Sequence, residues 1–250
     1  MIRKNINIIN KYNKHLSTII EMPETNVKDF IIISHCFTCS KLYKLYNGIS
    51  KRLVEHGYGV VRYDAMGLGN SEGNFSATSF QTNFEDLITI YNYVSKEYKN
   101  PSYLLGHSLG SLISLKAANN LDSVKGVITI GSPSNFDNLI KILSNYENEL
   151  INMDSVEIKV SGQNISIGID YLNSLRTEDI YKTIKNFKKS IIMFHSNSDK
   201  IVDYNQGLKL FTSIDSDKSF ITLKNVDHLV SKDEDASYIG EILYTWLENH

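Results

Sequence analysis

Ser108 stands in Leu104-Leu105-Gly106-His107-Ser108-Leu109-Gly110, a G-x-S-x-G at the point where a short apolar run gives way to a helical pattern. A serine between strand and helix can act as a nucleophile if the turn is sharp enough to project its Oγ away from the sheet. Gly106 and Gly110 remove side chains that would crowd such a turn. The helix behind the serine aims its positive end at the hydroxyl, which leaves the Leu109 N–H available to an oxyanion.

A serine hydroxyl is almost fully protonated at neutral pH, so it needs a base within hydrogen-bond reach and an acid that orients the base. Downstream of Ser108 the histidines are His195, His228 and His250. His228 lies in Asn225-Val226-Asp227-His228-Leu229, just past the β-type run Ser219 to Leu223. Asp199 follows another such run, Ser190 to His195. Loops at the carboxyl ends of parallel strands gather at one edge of a sheet, so Ser108, Asp199 and His228 converge as a candidate triad for acyl transfer. Asp203 and Asp227 compete for the acid role; Asp203 is placed to begin a helix and Asp227 adjoins the histidine too closely. His195, at the end of a strand, reads as structural or pocket-lining.

Those loops require an alternating α/β body. Ile6 to Asn10 and Leu16 to Glu21, around the polar Lys11-Tyr12-Asn13-Lys14, predict an opening hairpin. Phe30 to Ser34, Gly59 to Tyr63, Ser102 to Leu105, Val124 to Ile130, Ser190 to His195 and Ser219 to Leu223 predict the remaining strands. Helices are expected over Lys44 to Glu55, from Ser79 or Thr82 to Glu97, and over Leu109 to Asn119, Tyr204 to Ile214 and Ala236 to Leu247. The glycine-rich loop Gly67 to Gly73 reads as a tight surface turn and not a phosphate cradle. Between Ser134 and Lys189 the regular alternation breaks. A helix around Leu139 to Leu150 and a hairpin of Val156 to Val160 with Ile165 to Ile169, turning at Ser161-Gly162-Gln163-Asn164, predict a small cap inserted into the core.

Composition narrows the classes. The 250 residues suit one domain with an insertion, and a formal net charge of -2 from mixed charges offers no basic stripe for nucleic acid. No apolar run reaches the ~18 residues of a membrane span, and Met1 to Lys14 has no signal-peptide pattern, so a cytoplasmic location is expected. No motif calls for a cofactor or a metal. Only Cys36 and Cys39 are present, too few for a disulfide scaffold, and they read as reduced thiols. Their C-x-x-C spacing ahead of a helix makes them a candidate redox pair; the competing reading is small packing residues in a loop.

With these residues in hand, the chain resembles the α/β-hydrolase superfamily over its full length. It is similar in particular to the hydrolase domain often fused to an OsmC-like domain. The resemblance rests on Ser34-His35-Cys36-Phe37-Thr38-Cys39-Ser40-Lys41, Tyr63-Asp64 with Gly67-Leu68-Gly69, the Ser108 motif, Ile130-Gly131-Ser132-Pro133-Ser134 and Val226-Asp227-His228-Leu229. It implies a mostly parallel eight-stranded sheet with helices on both faces and a serine hydrolase acting on an ester or related acyl bond. By analogy with hydrolases that carry His-Gly-X after this strand, the second oxyanion donor is the backbone N–H of Phe37, with Cys36 as the lesser candidate. The implied ligand is a small-molecule acyl substrate. The chain ends at His250 soon after the last expected helix, so the resemblance implies a hydrolase standing alone, with a separate OsmC-like protein as a candidate partner. Ser111 departs from relatives that carry a glycine there.

Overall fold

A computed structural model of the chain describes residues 1–160 and 163–250. The opening strands β1 (Ile2–Ile9) and β2 (His15–Met22) form an antiparallel hairpin. Then follow β3 (Phe30–Ser34), α1 (Lys44–Glu55), β4 (Gly59–Tyr63), α2 (Phe80–Glu97), β5 (Tyr103–His107), α3 (Leu109–Ala118) and β6 (Gly126–Ile130). An excursion holds α4 (Asp137–Ser144), α5 (Glu147–Asn152), β7 (Val156–Val160), β8 (Gln163–Ile167), α6 (Ile169–Thr177) and α7 (Ile180–Ile184). The chain returns through β9 (Ser190–Ser196), α8 (Tyr204–Ser213), β10 (Lys218–Leu223) and α9 (Asp233–Leu247).

Eight strands make one sheet in the order β1-β2-β4-β3-β5-β6-β9-β10. Every pairing from β4 to β10 is parallel, and β2 runs antiparallel to β4. Side chains alternate between two cores with the period of two that a sheet covered on both faces requires. On β3, Phe30 and Ile32 enter one core while Ile31 and Ile33 enter the other; on β9, Ile191 and Met193 oppose Ile192 and Phe194 in the same way. α1 and α9 cover one face, through Leu45, Ile49, Leu53, Ile239 and Leu243. α2, α3 and α8 cover the other, through Leu87, Leu112 and Leu210. α2 starts where Ser79 accepts the Thr82 N–H at 3.1 Å, so the cap sets its first turn.

The excursion between β6 and β9 differs in detail from the sequence expectation. One helix over Leu139 to Leu150 is replaced by α4 and α5, which break at Asn145; Ser and Asn side chains compete for backbone hydrogen bonds and weaken a helix interior. The hairpin forms, but its second strand is Gln163–Ile167 and not Ile165 to Ile169. The expected turn at Ser161-Gly162 lies outside the described residues. Ile169 instead opens α6, and Asp179 caps α7 by accepting the Lys182 N–H at 3.1 Å.

Candidate active site

Ser108 joins β5 to α3 with φ 53° and ψ -120°, a left-handed conformation that costs an L-residue energy and persists because its surroundings fix it. Its own N–H donates to Ile130 O at 2.8 Å, anchoring the turn to β6. The two flanking glycines answer different crowding. A Cβ on Gly106 would lie 2.2 Å from Gly110 O and 2.3 Å from Ser111 Cα, inside the first turn of α3. A Cβ on Gly110 would lie 2.3 Å from Ser34 O, so this glycine lets α3 approach the backbone at the end of β3. Ser111 donates its hydroxyl to Gly106 O at 2.8 Å, a clamp across the turn that a glycine would lack. As the first helical residue, Leu109 has an N–H with no intrahelical acceptor.

Asp199 and His228 are brought into contact. His228 Nδ1 lies 2.7 Å from Asp199 Oδ2, with the carboxylate side chain 1% exposed. Asp199 Oδ1 accepts the N–H groups of Ile201 at 2.8 Å and Val202 at 2.9 Å, which fixes the plane of the carboxylate. Burial alone would raise this carboxyl; the His228 hydrogen bond and charge, with the two backbone donors, hold it below its ordinary range. An ionised Asp199 accepts a hydrogen bond from the Nδ1–H of His228, a tautomer that leaves Nε2 with a lone pair. The competing carboxylates are engaged elsewhere: Asp203 caps α8 through the Asn205 N–H, and Asp227 accepts from the Leu229 and Ser231 N–H groups. His195 is buried behind the acid, its Nε2–H donating to Val202 O at 3.0 Å, so its role is to hold the Asp199 loop.

Gly131, the residue after β6, received no role from the sequence beyond ending a strand. It has φ 56°, and a Cβ there would lie 3.2 Å from His228 Nδ1 and 3.4 Å from Asp199 Oδ2. The backbone of Gly131 is therefore the seat of the acid–base pair. A glycine directly after the strand beside the nucleophile strand was the available signal.

The loop after β3 folds back on itself. Cys39 N–H donates to Cys36 O at 3.1 Å, and Thr38 takes a left-handed φ of 65°. The expectation of reduced thiols is corrected here: Cys36 and Cys39 are disulfide-bonded, with Cα atoms 5.2 Å apart. Counting cysteines argued against a stapled scaffold but was silent on a local bridge; the tight turn is what brings the sulfurs together. His35 braces the loop from beneath, its Nδ1–H donating to Cys36 O at 2.8 Å and its Nε2 accepting the Ala65 N–H at 3.0 Å. Burial holds this imidazole below its ordinary pKa, in keeping with a neutral ring that both donates and accepts. The Phe37 ring packs against Phe75 and Tyr171 at centroid distances of 5.8 and 5.3 Å. Of the two candidate donors, the Cys36 N–H is already given to Tyr46 Oη at 3.1 Å. The Phe37 N–H takes part in no hydrogen bond among the described residues.

Ser108 and His228 both line a cavity of about 120 Å³. Phe37, Leu109, Ile201 and Leu229 line it from the core fold, and the segment between β6 and β9 contributes Phe136, Leu139, Ile142 and Val160. Among the described lining residues there is no carboxylate and no lysine or arginine.

This geometry agrees with what the chain is similar to. Residues 25–145 match the family model described as serine aminopeptidase, S33, a stretch that includes the Ser108 turn and stops before Asp199. A monoglyceride lipase from Rattus norvegicus is 32% identical over 113 residues, which is 44% of this chain and 37% of the lipase. The esterase domain of a Rhodothermus marinus protein superposes with a TM-score of 0.80 at 30% identity, covering 98% of both chains. The mouse alpha/beta hydrolase domain-containing protein 10 superposes with a TM-score of 0.82 at 17% identity, over 98% of this chain and 99% of its own, a likeness of fold. A sheet of this order, with relatives of this kind along nearly its whole length, makes the chain a member of the α/β-hydrolase superfamily.

Proposed function

We propose that the chain is a serine hydrolase that cleaves esters of small or medium apolar acyl groups through an acyl-enzyme. His228 Nε2 takes the Ser108 proton as Oγ attacks the carbonyl carbon, and the Leu109 and Phe37 N–H groups receive the oxyanion. The proton passes to the departing alcohol, and water, activated by the same histidine, then releases the acid. The observation that carries this reading is the 2.7 Å contact of His228 with a buried Asp199, opening on the same cavity as a serine held at φ 53°.

The apolar lining and the cavity of about 120 Å³ favour a short chain or a single ring over a long acyl tail. The lipase and esterase relatives support an ester as the bond broken. An aminopeptidase must hold a free ammonium group, for which the described lining offers no carboxylate. The resemblance carried by Ser34 to Lys41 extends the proposal to a separate OsmC-like partner, testable by co-purification of the two proteins.

Labelling with a fluorophosphonate probe tests the reading: the native protein labels and Ser108→Ala does not. Well-folded native protein that stays unlabelled would overturn it in favour of a non-catalytic, redox-accessory role for the Cys36–Cys39 loop. Turnover across p-nitrophenyl esters of increasing chain length tests the substrate class. It is expected to peak at short to medium chains, and dominance of long or charged substrates would refute that part.

A further inference from the structure

Three contacts link the loop after β3 to the loop after β10 that carries His228. Cys36, after β3, donates its N–H to Tyr46 Oη on α1 at 3.1 Å. Tyr46 Oη lies 2.9 Å from His107 Nδ1 at the end of β5, and His107 Nε2 lies 2.8 Å from the backbone carbonyl of His228. Tyr46 and His107 are both 0% exposed.

The two ends of this chain fix the direction of every bond. The Cys36 N–H can only donate, so Tyr46 Oη accepts there and keeps its own proton for the next partner. The His228 carbonyl can only accept, so His107 carries its proton on Nε2 and offers a lone pair at Nδ1. Tyr46 O–H therefore donates to His107 Nδ1. A neutral His107 is required throughout, and burial, with the neighbouring His228 second, pushes its pKa down to about 3. The wire thus keeps one polarity across the range in which an esterase works.

We propose that Tyr46 and His107 are positioning residues that clamp the oxyanion-hole loop to the loop of the general base through this single directed chain of hydrogen bonds. The inference rests on the triad reading given above. Neither residue touches the reacting atoms. Tyr46 takes up the Cys36 N–H, the donor next to that of Phe37, and so holds from the N-terminal side the residue whose carbonyl shares a peptide with the Phe37 N–H. His107 holds the main chain of His228 and so sets how far the imidazole stands from Ser108. Each link is buried, so cutting one strands an unpaired donor or acceptor that the loops must move to satisfy. The clamp lets a shift at the oxyanion loop be felt at the base.

Tyr46→Phe removes one hydroxyl and keeps the ring, and His107→Gln keeps a donor for His228 O while losing the ring acceptor. For Tyr46→Phe, kcat on a short p-nitrophenyl ester is expected to fall about tenfold with KM within about twofold, because the loss is felt in the transition state and not in the apolar acyl pocket. His107→Gln reads the same wire from the other end. The double variant is expected to lose little beyond the worse single one, since both cut one unit. Wild-type kcat in either correctly folded single variant, or losses that multiply in the double variant, would overturn the clamp. Native protein that fails to label at Ser108 would instead overturn the triad reading on which it rests.

Discussion

Gly131 is a position where one methyl group would press on the His228–Asp199 pair itself. In Gly131→Ala the new Cβ must coexist with His228 Nδ1 at 3.2 Å on a backbone at φ 56°. The left-handed conformation alone costs an alanine ~1 kcal/mol, and the crowding is relieved only by moving the imidazole. Steady-state kinetics should show kcat lowered by about an order of magnitude, with a small fall in thermal midpoint. Asp199→Asn keeps an acceptor for the Ile201 and Val202 N–H groups but turns an amide donor toward His228, which favours the wrong tautomer. An expected loss of about 10³–10⁴ in kcat, with the fold intact by circular dichroism, tests it. The places of Ser108, Asp199 and His228 after strands could be read from the sequence because each follows a short apolar run that announces the end of a strand. Tyr46 and Ser111 could not, because what they do is decided by which groups pass within a few ångström of them.

The loop after β3, the proposed oxyanion loop, is held by His35, by Tyr46 and by its own disulfide. Its short bridge closes a sequence separation of 3, so its chain-entropy contribution is small, about 2 kcal/mol, and its larger effect is local. Treatment with a dithiol reductant, or Cys39→Ser, should lower kcat severalfold by freeing the peptide of Phe37, with only a modest drop in stability. Equal activity with and without reductant would show that His35, Tyr46 and the aromatic packing of Phe37 suffice. The excursion is the least legible element. Its helices α4 to α7 are short, α4 gives Leu139 and Ile142 to a cavity and Leu143 to the core, and periodicity has few turns in which to declare itself. The central strands were legible because burial on both faces makes them continuous apolar runs, as in Phe30–Ser34.

Over the whole molecule, three histidines are buried with burial holding each below its ordinary pKa: His35, His107 and His195. The unfolded chain takes up protons at these positions below pH ~6.5 while the folded chain does not, so stability falls as the pH drops. His107, at about 3, contributes a loss of ~2 kcal/mol by pH 5 on its own. Asp86, lifted to about 6 by burial, acts in the opposite sense and lowers stability as pH rises from about 4 to 6, offsetting part of the loss in that window. The net expectation is a thermal midpoint lower at pH 5 than at pH 7.5, and a shallower dependence in His107→Gln. The strand order has a consequence of another kind. Ser108 follows β5 in the middle of the sheet, and of its proposed partners Asp199 follows β9 and His228 follows β10 at the far edge. A chain whose last two strands have not yet docked holds a serine with no partner. Covalent capture of Ser108 would therefore serve as a clock for completed folding, silent until the final strand is home.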